Sequence, residues 1–149
     1  MEIGKINTTY DFENKVASAD VLIDNRKFTT YAKCCDEDID MCSPNTGCEI
    51  ANKKLAIRIA KEYKRDLKIG LAALEQLYYS MNRSKNFNPK SYENKMLYSQ
   101  VQVYKNDLAE INKFIAEKEQ DLKEYIAEKD KFYKQIRNLR KRKEQSGQI

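Results

Sequence analysis

The chain has 149 residues, a net charge of +5, 34% charged and 41% hydrophobic residues, and a mean hydropathy of −0.82. It holds no histidine, four glycines and two prolines, which excludes histidine-based catalysis and favours helices that are seldom interrupted. No apolar run approaches the ~20 residues of a membrane span, and residues 1–5 lack a basic-then-apolar leader. The expectation is a cytoplasmic protein without membrane contact, or one incorporated into a particle or machine assembled from the cytoplasm.

Residues 1–45 read as an amino-terminal arm. Residues 21–23 and 28–31, either side of Asp24-Asn25-Arg26-Lys27, predict a short β-hairpin in an otherwise irregular segment. The competing assignment is a short helix over residues 11–19 followed by extended chain. Residues 34–48 form an acidic loop that carries all four cysteines. Cys34 and Cys35 are adjacent and point apart, and the gaps to Cys42 and Cys48 exceed the usual knuckle spacing of a zinc site. These four metal candidates leave three states open: reduced thiols, thiolate-bound zinc, and one or two disulfides. No cofactor is expected beyond that zinc. Asp36, Asp38 and Asp40 begin like a calcium loop, but Met41 stands where glycine is required and Gly47 where a bidentate glutamate is required. They read as a solvated loop.

The remainder predicts two long helices, over residues 46–81 and 89–144, with a short tail at 146–149. Thr46 and Glu49 make a capping-box pair at the first start. Ile50, Leu55, Ile59, Tyr63, Leu67, Leu71, Leu74 and Tyr78 then follow at helical spacing. Gly70 is the one weak point, and its bare backbone lets a neighbour come close. Asn88-Pro89 suits a second N-cap and first helical position. The second helix carries a heptad stripe, Leu97, Val101, Tyr104, Leu108, Ile111, Ile115, Leu122, Tyr125, Phe132, Ile136 and Leu139, broken at Lys118 and Lys129. A short polar connection between two such helices predicts a long antiparallel, coiled-coil-like hairpin, so the fold class is mainly α.

At ~1.5 Å per residue the second helix outruns the first by roughly 30 Å. The uncovered end begins near Tyr125 and still carries Tyr125, Ile126, Phe132, Tyr133, Ile136 and Leu139, which are the expected partner-packing residues. The first 45 residues, a second copy or another protein must cover them. Tyr98, Phe114, Ile126 and Tyr133 widen the stripe beyond a two-helix seam. From Lys131 onward, seven basic residues face one acid, Glu144, so the positive charge belongs to this end. Arg137, Arg140, Lys141, Arg142 and Lys143 are candidates for contacting phosphates or an acidic partner, and they equally offset the helix macrodipole.

No phosphate-cradling glycine loop or nucleophile motif is present, so an enzyme is not expected. The leading expectation is a non-enzymatic structural subunit that joins other protein subunits, as homo- or hetero-oligomer. In general build it resembles accessory parts of multi-protein machines, such as phage virion connector or tail components and secretion-machine proteins. The alternatives are a nucleic-acid-associated protein that uses the basic helix end and a zinc-stabilised adaptor.

Overall fold

The computed structural model describes residues 1–34, 42–83, 88 and 90–147. Three strands precede two helices: β1 (Asn7–Asp11), β2 (Val16–Ile23), β3 (Arg26–Lys33), α1 (Pro44–Asn82) and α2 (Tyr92–Gln145). The protein is thus mainly helical, with one small antiparallel sheet in the order β1-β2-β3. No helix is long and apolar enough to cross a membrane among the described residues.

The expected hairpin is present and longer than its apolar cores suggested. Ile23 pairs with Arg26, so the turn is the two residues Asp24 and Asn25, with φ of 49° and 65°. Positive φ at both positions matches the strand twist, and Asp and Asn adopt it at low cost. The competing helix over 11–19 is not formed; residues 16–19 lie within β2. Alternation decides this: Ala17, Ala19, Val21 and Ile23 are buried, while the residues between them are not. A third strand, β1, pairs along the whole of its length with β2. Its connection is an Asx turn in which the Asp11 carboxylate accepts the N–H groups of Glu13 and Asn14 and the Asn14 side-chain amide. Ile3 adds an isolated bridge to Ile23, and Gly4 donates to the Leu22 carbonyl at 2.8 Å.

Both helices begin at other residues than expected. Gly47 N–H bonds to the Ser43 carbonyl at 3.1 Å, which makes Ser43 the N-cap of α1 and places Pro44 at the first helical position. Pro44 lacks the N–H that would go unpaired there, and this preference outweighs the Thr46–Glu49 box. In α2 the Ser91 hydroxyl accepts the Asn94 N–H at 3.3 Å, so Ser91 is the cap. Asn88 instead folds an Asx turn onto Lys90; Pro89 lies outside the described residues. At the far end Gly147, at φ +71°, closes α2 where expected.

The chain divides into two compact units, one of Glu2–Ile57 with Glu117–Ile149 and one of Arg58–Ala116 with Met1. In the second unit the expected stripe is the covered one. Leu97, Val101 and Ile115 are buried, and Tyr104, Leu108 and Ile111 half-buried. Leu67 and Ala60 are buried on α1. Tyr104 rests on Gly70, the Tyr78 and Tyr98 rings lie 6.2 Å apart, and Lys105 reaches Glu75 at 3.8 Å.

In the first unit the inward sheet face meets the start of α1 through small residues. A Cβ on Gly47 would lie 3.1 Å from the Ala17 Cβ, so backbone and sheet are already in close approach. Ala51 and Leu55, one and two turns later, are fully buried. Polar stitches fix the register: Thr30 Oγ1 donates to the Ala51 carbonyl and Thr8 Oγ1 to Asn52 Oδ1, both at 2.7 Å.

Candidate functional site: a lysine-lined cavity beside Cys34 and Cys42

The sheet unit holds a part-open cavity of about 240 Å³. Ala32 from β3, Gly47 and Ile50 from α1 and Ile126 from α2 give it an apolar floor, and the rings of Tyr10 and Tyr133 flank it. Tyr133 is buried.

Four lysines from four places in the chain line the same cavity. Lys15 stands at the end of the β1–β2 turn, at φ 56°, and Lys33 is the last residue of β3. Lys54 extends from α1 and donates to the Tyr31 carbonyl at 2.8 Å. Lys129 comes from α2, with Nζ 5.3 Å from the Tyr125 ring centroid; Lys53 sits at the same distance from that ring. Two cations on one ring explain why a lysine interrupts the stripe here: its ammonium has an aromatic face. Asp130 is the only carboxylate among the described lining residues. The described lining is therefore net cationic, a setting that favours anions and thiolates.

The cavity wall also contains Cys34 and Cys42, which form a disulfide. Their Cα atoms are 6.3 Å apart, within the range such a bond requires. Cys34 follows β3 directly and Cys42 precedes the Ser43 cap, so the bond joins the end of the sheet to the start of α1. As a disulfide the pair has no thiolate to offer a metal. Cys48, in the second turn of α1, is a half-buried free thiol. Cys35 and the acids Asp36, Asp38 and Asp40 lie outside the described residues. Among the described residues no group of three or more potential ligands is placed to hold a metal ion.

The other sequence-expected residues lie on α2. Ile126 and Tyr133 face the cavity, Tyr125 lies under its two lysines, and Ile136 is half-buried. Phe132 and Leu139 are 54% and 56% exposed. Arg137 is half-buried; Arg140, Lys141, Arg142 and Lys143 are exposed in the turns before Gly147. Lys15, Lys33, Lys54 and Tyr10 were not singled out from sequence. They are far apart along the chain, and only the sheet register and the α1 packing bring them together.

In comparisons with known proteins, no family model, no curated sequence and no solved structure matches this chain.

Proposed function

We propose that the protein is a non-enzymatic structural subunit, packing through a coiled-coil-like antiparallel hairpin into a larger assembly of protein subunits, of the kind found in virion connectors or secretion machines. One observation carries the reading. Tyr92, Met96, Val103 and Phe114 on α2 are 40–72% exposed, and their spacings of four, seven and eleven residues set them on one side of the helix. Phe132 and Leu139, seven apart, are further large apolar groups of α2 that stay 54% and 56% exposed. Monomers seldom leave such a set in water, and a neighbouring helix would cover it. Mass by light scattering over a concentration series tests this. Association that Val103→Glu abolishes is the expected result. A 17.5 kDa monomer at every concentration, with cooperative melting and no binding of an apolar dye, would end the proposal.

A second reading, association with nucleic acid, draws on the exposed Lys141 and on Arg142 and Lys143 in the last turn of α2. Binding that weakens steeply with salt and falls in Arg142→Gln would favour it. Salt-independent or absent binding would dismiss it.

A further inference from the structure

Disulfides differ in what surrounds them. A structural one is shielded in apolar packing, whereas an exchangeable one is open to a thiol and sits where a thiolate is stabilised. The Cys34–Cys42 pair meets the second description on three counts. Both cysteines line the cavity and are only half-buried. Among the described lining residues, Lys15, Lys33, Lys54 and Lys129 stand against one carboxylate, Asp130. The positive end of the 39-residue helix α1 begins just beyond Cys42, which adds to the same field.

We infer that Cys34 and Cys42 are a reversible thiol–disulfide site, and that the lysine-lined cavity beside them takes a small anionic thiol of the glutathione class as its exchange partner. The thiolate of that molecule attacks one sulfur of the pair. The Cys34–Cys42 bond breaks as a mixed disulfide forms, and the departing sulfur leaves as a thiolate and takes up a proton. A second molecule of the small thiol attacks the mixed disulfide, releases its own dimer and leaves the protein as the dithiol. Two electrons pass from two small thiols to the protein; in the reverse direction the dithiol gives them to the oxidised dimer, which is cleaved to two thiols as the Cys34–Cys42 bond re-forms. The lysines act on both partners: they draw in the carboxylates of the incoming molecule and stabilise the cysteine thiolate that leaves. Reduction unties the end of β3 from the start of α1, so the site connects thiol poise to the anchorage of the sheet on the helix.

The test is a redox titration of the full chain in glutathione buffers, with acid quenching, alkylation and peptide mapping. The expected result is a reversible two-electron step that maps to Cys34 and Cys42, with Cys48 alkylated throughout. Reduction rates are then compared for glutathione and uncharged 2-mercaptoethanol at equal thiolate concentration. Glutathione should react faster; the reverse order would mean that the four carboxylates the sequence places between the two cysteines outweigh the lysines, and would overturn the inference. Lys15→Gln with Lys33→Gln should slow glutathione by roughly threefold or more and 2-mercaptoethanol by clearly less, because the latter loses only the lysines' effect on the thiolates and has no carboxylates for them to hold. If that variant fails to fold, the wild type serves: raising the salt should slow glutathione more than 2-mercaptoethanol. A bond mapped to Cys35 or Cys48, an irreversible step, or charge-independent rates would overturn the inference.

Discussion

The ring of Tyr104 lies on the bare backbone of Gly70, where a Cβ would meet its Cε1 at 2.6 Å. Glycine costs a helix interior about 1 kcal/mol relative to alanine, so the contact must return more than the helix loses. Gly70→Ala is therefore expected to destabilise the protein by roughly 1–2 kcal/mol through overpacking, despite its better propensity. In a Tyr104→Ala background the sign should reverse, with Gly70→Ala stabilising by about 1 kcal/mol. Chemical denaturation of the four proteins checks the cycle.

Asp11 gives the sheet a dependence on acid. The Asn14 side-chain amide, followed by the backbone N–H groups of Asn14 and Glu13, holds its carboxyl below the usual carboxylate range. A depressed folded-state pKa means stability that is complete above the unfolded value, about pH 4, and lost as the pH falls through the folded value. Asp11→Ala should lower Tm at neutral pH, and the gap to wild type should narrow as the pH drops to about 2. Melts by circular dichroism across that window, with an NMR titration of the carboxyl, measure both parts.

The approach of α1 to the sheet tolerates no added bulk. Ala51 has no exposed surface, and its carbonyl accepts the Thr30 hydroxyl. Ala51→Leu should cost roughly 1–3 kcal/mol, and Leu55→Ala, which empties the same layer, about 2–5 kcal/mol. Urea unfolding gives both numbers.

Tyr125 separates ring from hydroxyl. Its face carries Lys53 and Lys129, so Tyr125→Leu should lose about 1 kcal/mol. Tyr125→Phe, which keeps the ring, should be nearly neutral by the same denaturation assay.

Much of this architecture was legible because the physical signal was local. The β2–β3 hairpin announced itself through Asp24-Asn25 between apolar runs, and the role of Gly70 through its isolation inside a helical pattern. Strand β1, Asn-Thr-Thr-Tyr-Asp, has no buried residue and no apolar alternation; only its pairing to β2 makes it a strand. The helix starts were ambiguous because two capping signals competed at each. Ser43-Pro44 prevailed over Thr46-Glu49, and Ser91 over Asn88. The cavity was illegible for a different reason. Lys15, Lys33, Lys54 and Lys129 look like ordinary solvated charges until the sheet register and helix packing converge them.

Lys54 has a second consequence. β3 pairs with β2 on one side only, so the backbone groups along its other edge could template an incoming strand. The Lys54 ammonium occupies one of those acceptors, the Tyr31 carbonyl, and Arg26, Lys27 and Lys33 place charge along the same strand. An extended segment of another chain would have to displace a cation before adding to the sheet. The lysine that walls the cavity thus also blocks one acceptor on this edge of the sheet, a hindrance to strand addition there.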